Sequence, residues 1–349
     1  MTPQTHSGPD VKNLIFAVLA ATAIMFGWQY FYERPRQTAL RVASEKEAVM
    51  KKETAAKAAV QQPAAATNAD ATAGAPRIRI NTPALHGSIS VVGARFDDLS
   101  LAQYHETIAT DAPEVKLLNR ASAPDAYFVE LGLLSDGAVK LPDATTRWQT
   151  RDTELTVEKP VTLTWNNGAG LQFTRKISVD EHFMFTITTS VRNEAGAPVT
   201  LYPYGLVSRN YADTSKHYFI MHEGPLGVMN EVLEDITYKK LREDGAQKFA
   251  NTGGWLGITD KYWLTALVPD AGDKFDAEYK HFTRNGQDAY QADMRGKPVE
   301  LAVGTTTDIT TRLFAGAKVV EHLDHYRDQY DIPLFDRAVD LGVLYFLTK

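Results

Sequence analysis

The chain has 349 residues, of which 44% are hydrophobic, enough for one large domain or two small ones with a sizeable core. Its formal net charge of −6 excludes the basic footprint that a nucleic-acid-binding protein presents. It contains no cysteine, which excludes disulfides, thiolate metal sites and cysteine nucleophiles.

The first predicted element is a transmembrane helix over 13–32, the uncharged stretch NLIFAVLAATAIMFGWQYFY. At about 1.5 Å of rise per residue, a helix of that length spans the roughly 30 Å hydrocarbon core of a bilayer. Its end carries aromatic rings of the kind favoured at a membrane–water boundary, among them Trp28 and Tyr30. A cleaved signal peptide is the alternative. However, the small-residue site Ala21–Thr22–Ala23 lies inside the apolar run, and bulky residues continue past it. Positive charge does not fix the orientation: Lys12 stands on one side and Arg34, Arg36 and Arg41 on the other, and long domains translocate regardless of that balance.

Residues 33–77 read as a flexible linker, because their Ala-, Lys-, Glu- and Thr-rich composition buries too little apolar surface to offset chain entropy. From Ile78 the pattern changes to strands. Val161 to Trp165 is followed by the turn cluster Asn166 to Gly170, and then Leu171, Phe173, Ile177 and Val179 alternate. Phe183, Phe185, Ile187 and Val191 repeat the period after Asp180–Glu181–His182. Similar runs occur at Val199 to Tyr202, Trp255 to Ile258, Trp263 to Val268 and Thr306 to Phe314. Period-two apolar spacing with Gly, Asn and Pro at the breaks predicts an all-β sandwich over 78–318.

Two helices are predicted to follow. Val319, Leu323, Tyr326 and Tyr330 form one apolar stripe, so residues 319–331 are expected to pack on the sandwich until Pro333 breaks the helix. Residues 332–349 read as an amphipathic helix in the membrane interface, with Phe335, Val339, Tyr345 and Phe346 towards the acyl chains and Asp336, Arg337 and Asp340 towards water. A helix packed on the sandwich is the alternative for this last element.

Motifs of catalysis are lacking. The sequence holds no Walker loop, no G-x-G-x-x-G between strand and helix, no G-x-S-x-G elbow and no H-E-x-x-H. His322 and His325 stand three apart and could ligate a metal, but solvent-facing residues are the plainer reading. His222, Glu223, Trp255 and Trp263 could line a cleft suited to sugars, aromatic faces with a few polar groups. Tight turns and close strand approach are the plainer reading of the glycines around them. No cofactor, metal or catalytic residue is assigned.

Several segments taken together carry a resemblance. GARFDDLSL (Gly93–Leu101), PVTLTWNNGAGLQFTRKISVD (Pro160–Asp180), GAPVTLYPYGLVSR (Gly196–Arg209), HEGPLGV (His222–Val228), TGGWLGITDKYWL (Thr252–Leu264), LFAGAK (Leu313–Lys318) and FDRAVDLGVLYFLTK (Phe335–Lys349) resemble the YidC membrane protein insertases of Gram-negative bacteria, in that family's order. The resemblance implies a cytoplasmic start over 1–12, an anchor in the inner membrane and a periplasmic domain of β-supersandwich form. It also implies a short interfacial helix leading to an insertase core that is missing from this sequence. The role implied is insertase and chaperone for nascent membrane proteins, with the lipid bilayer, the Sec translocon and its accessory subunits as partners. The supersandwich is also the form of sugar-binding domains such as the galactose mutarotases, and fold analogy alone transfers no activity. A membrane-anchored carbohydrate-binding or carbohydrate-modifying domain of the envelope is the competing reading.

Overall fold

The computed structural model describes residues 74–109, 111–211 and 222–339, and these form two packed β-sheets with short helices. The anchor segment with Trp28 and Tyr30, the linker up to residue 73, and Tyr345 and Phe346 lie outside the described residues. No helix among the described residues is long and apolar enough to cross a membrane.

Among the described residues, eleven strands build the larger sheet. They are β1 (Arg77–Asn81), β2 (Leu85–Ser90), β3 (Phe96–His105), β4 (Glu114–Leu118), β5 (Tyr127–Leu134) and β6 (Glu154–Leu155), with β10 (Val199–Asn210), β13 (Gln247–Thr252), β16 (Phe275–Arg284), β17 (Gln287–Gly296) and β18 (Val299–Leu301). Its spatial order is β13-β16-β17-β10-β5-β3-β2-β1-β6, with β4 pairing β3 and β18 pairing β10. The smaller sheet takes β7 (Val161–Asn166), β8 (Leu171–Val179), β9 (Met184–Asn193), β11 (Gly224–Met229), β12 (Val232–Asp235), β14 (Gly254–Thr259), β15 (Trp263–Pro269) and β19 (Thr306–Ala317). Its order is β12-β11-β14-β15-β19-β9-β8-β7.

The alternation seen in the sequence is the alternation of burial. Along β8, Leu171, Phe173, Ile177 and Val179 are buried while Gln172 and Lys176 are exposed. Phe185, Ile187 and Val191 repeat this on β9. The two apolar faces meet in one core, in which Phe96 of the larger sheet packs edge-on against Phe185 of the smaller at 5.3 Å between ring centroids. The hairpin between β16 and β17 turns on Asn285–Gly286, both at positive φ, a two-residue turn whose twist matches that of its strands.

The glycine-rich segment is explained by close approach. Gly254 sits at φ 119°, and a Cβ there would lie 2.0 Å from the Val228 carbonyl oxygen of the neighbouring strand. Gly224 is similarly pressed against the Ile236 carbonyl. Gly254 lets strands β11 and β14 run together and Gly224 lets the segment after β12 approach β11; they do not open a cleft.

Two α-helices are described, α1 (Tyr238–Asp244), capped by the Thr237 hydroxyl accepting from Lys240 N–H, and α2 (Val320–Tyr330). The stripe foreseen for α2 is the docked face, with Leu323 and Tyr326 buried. The helix starts at Val320 because β19 holds the chain up to Ala317.

The described part of the expected interfacial helix, up to Val339, differs from that expectation. It is a 3-10 turn over Phe335–Ala338. Phe335 is fully buried and packs edge-on against Trp255 at 5.1 Å and Phe314 at 5.4 Å, so it faces the protein core and not acyl chains. Asp336, expected to face water, is buried beside Arg327 at 3.5 Å. Val339 packs against the same core while remaining partly exposed. The sandwich offers this segment an apolar surface of its own, which satisfies the pattern that suggested lipid.

Candidate functional site

His222 and Glu223 lead into β11 at one end of the sandwich, where polar and aromatic groups meet. His222 Nε2 lies 2.9 Å from the Pro225 carbonyl oxygen, a bond it makes as donor. Glu223 accepts from the Tyr211 hydroxyl at 3.0 Å. Tyr211 stacks on Tyr238 at 4.2 Å, and Tyr238 leans on Tyr290 at 4.4 Å. The Arg209 guanidinium covers the rings of Tyr127 and Tyr211 at 4.7 and 5.4 Å and pairs with Asp260 of the opposite sheet. Beyond Tyr290, Arg242 donates to its hydroxyl, and His281 and Arg242 both face Asp288.

Period two explains the cluster. Tyr127, Arg209, Tyr290 and His281 are directly opposite one another across β5, β10, β17 and β16, so all four project between the sheets. Burial pushes the Tyr127 and Tyr238 hydroxyls well above the ordinary phenol value, which keeps both protonated. Tyr127 donates to the Ile258 carbonyl of the opposite sheet at 3.0 Å. Chemically the arrangement is a set of donors and ion pairs that fastens the two sheets at one end.

Of the four residues expected to line a cleft, Glu223 joins this cluster through Tyr211, and His222 bonds the Pro225 carbonyl beside it. Trp255 does not join it. Its side chain is fully buried on β14, with the indole N–H donating to the Pro333 carbonyl at 3.0 Å. An aromatic ring sealed in the core presents no face to a sugar. Trp263, at the start of β15, is partly exposed and packs edge-on against Tyr104 at 5.1 Å. Among the described residues no group of three or more His, Asp or Glu side chains is placed to hold a metal ion. His322 instead stacks on His182 at 3.8 Å.

A second cluster was missed from the sequence. Arg95 and Glu130 form an ion pair on the outer face of the larger sheet, and both are buried. Phe128 lies beside them with the guanidinium carbons of Arg95 and Arg284 each 5.0 Å from its ring centre. Arg284 donates to Asn210 at 3.0 Å and to Ser208. Burial lowers the Arg284 pKa to about 10; Glu130 opposes that effect and Arg95 adds to it. Burial raises the Glu130 carboxyl, with Arg95 pulling it back. The signal was present, since Glu130 is the single charge in the strand YFVELGLL.

The geometry defines a large β-sandwich module fastened at one end by a tyrosine–arginine cluster. The model of the YidC periplasmic domain matches residues 77–349, and the chain belongs to that family. It is 42% identical over 351 residues to the membrane protein insertase YidC of Granulibacter bethesdensis, covering 97% of this chain and 60% of that protein. The insertase YidC of Rickettsia felis is 39% identical over 344 residues, with 97% and 61% covered. The chain thus spans about 60% of the length of these relatives. Among solved structures, a galactose mutarotase related enzyme from Lactobacillus acidophilus aligns with 68% of this chain and 97% of its own, at a TM-score of 0.47 and 11% identity, a likeness too slight to argue from.

Proposed function

We propose that the chain is the anchored periplasmic part of an inner-membrane insertase and chaperone, and that its sandwich is a docking and scaffolding surface. Nascent membrane proteins are the clients of the whole insertase. The observation that carries this reading is the family match over 77–349 together with relatives, named as insertases, that align with 97% of the chain. The bilayer holds the chain through Asn13–Tyr32, with Trp28 and Tyr30 at its boundary and Tyr345 and Phe346 returning to the interface. Accessory subunits of the Sec translocon are the partners of the sandwich.

The test places a photo-crosslinking amino acid at exposed positions, Val232 and Tyr262, in the complete gene product within its own membrane. Adducts with Sec accessory subunits are expected from at least one position. If the protein accumulates and both positions yield only adducts with unrelated envelope proteins, or none, the docking role is wrong.

A further inference from the structure

The turn between β8 and β9 and the first half of α2 meet through two imidazoles. His182 and His322 stack with centroids 3.8 Å apart and planes 27° from parallel, and both are half-buried. Beneath them, Asp180 organises the contact. One of its oxygens accepts from the backbone N–H groups of His182 and Met184 at 2.9 and 3.0 Å. The other accepts from the Tyr326 hydroxyl at 2.6 Å, and that hydroxyl accepts from Phe183 N–H at 3.2 Å. Phe183 lies edge-on to His322 at 6.0 Å. At its far end α2 is tied to the 3-10 turn by Arg327, which pairs with Asp336. Whatever loosens α2 therefore loosens the carboxy-terminal end of the domain.

We propose that the stacked His182–His322 pair is a pH-sensitive latch holding α2 on the sandwich. A neutral His322 ring stacks on its neighbour as an aromatic group, whereas an imidazolium in this half-buried stack lacks the hydration that open water would supply. The titratable groups around them are Asp180 and Glu181 from the turn, and Glu321, His325 and Tyr326 from the helix. Their balance favours the neutral form of His322. Burial and then His182 hold its pKa below the ordinary value of 6.5, with His325 acting in the same direction and Glu321 and Asp180 opposing. A histidine whose folded pKa is depressed lends docking energy that is complete above about pH 6.5 and is lost as pH falls through the folded value. The latch is closed at neutral pH and opens in mild acid.

Amide hydrogen exchange on the whole 349-residue chain in detergent tests this, at about pH 7.5 and about pH 5.5 and expressed as protection factors so that intrinsic rates cancel. The α2 amides should lose protection by the order of tenfold relative to those of β8 and β9, and His322→Gln should abolish most of that loss. Protection of α2 that is unchanged between the two pH values overturns the latch. So does an equal loss in His322→Gln. Should that variant fail to fold, the imidazole resonances of the unmutated chain decide: His322 must titrate below a histidine in an unfolded peptide, and titration at or above it refutes the proposal.

Discussion

Arg95 and Glu130 show what one buried charge demands of its neighbours. Arg95 is 0% exposed and Glu130 4%, so neither is solvated, and each depends on the other and on Phe128 and Arg284 nearby. Removing one partner leaves the other as an uncompensated buried charge, which costs far more than the pair is worth. Arg95→Met should therefore destabilise the domain by about 3–5 kcal/mol. Adding Glu130→Met should restore most of that loss, since an apolar pair of similar volume carries no desolvation cost. Urea unfolding of the single and double variants checks this, and a double variant as unstable as the single would show that the pair does not act as a unit. Such residues are hard to read from sequence. A search for paired carboxylates or metal spacing passes over one arginine and one glutamate 35 positions apart, because β3 and β5 bring them together only in the sheet.

Single elements divide sharply between those that were legible and those that were not. Strands β7, β8 and β9 were, because half-buried antiparallel strands write their burial into the sequence at period two. Helix α2 was, because its stripe at Leu323 and Tyr326 is the face it docks. The segment after Pro333 was not. An apolar stripe states that a face will be covered, and says nothing about whether lipid or protein covers it; here Trp255 and Phe314 cover Phe335. Trp255 misled for a related reason: an aromatic residue near polar groups suits a sugar cleft and a packed core alike, whereas the flanking glycines, read as allowing close strand approach, do allow it, and the ring is buried. If the 3-10 turn is a plug in the core, Phe335→Ala should cost about 3–5 kcal/mol, the usual cost of deleting a buried phenyl. A membrane-facing Phe335 would instead leave stability in urea unchanged and weaken only the attachment to liposomes.

The described residues assemble two sheets around one core, fastened across by the Tyr127 bond to Ile258 and the Arg209–Asp260 pair. The whole sandwich falls within the match to the YidC periplasmic domain family, and the function proposed above sets it beside a membrane. The central claim is that this sandwich stands outside the inner membrane while the start of the chain remains in the cytoplasm. The absence of cysteine makes the claim directly measurable, because one introduced thiol is the only thiol in the chain. Val232→Cys places it on an exposed position of β12, and Ser7→Cys places it before the apolar segment. Labelling of spheroplasts with a membrane-impermeant maleimide should modify Val232→Cys at once and Ser7→Cys only after the membrane is permeabilised. The reverse order of labelling, or protection of both thiols until permeabilisation, would contradict the account.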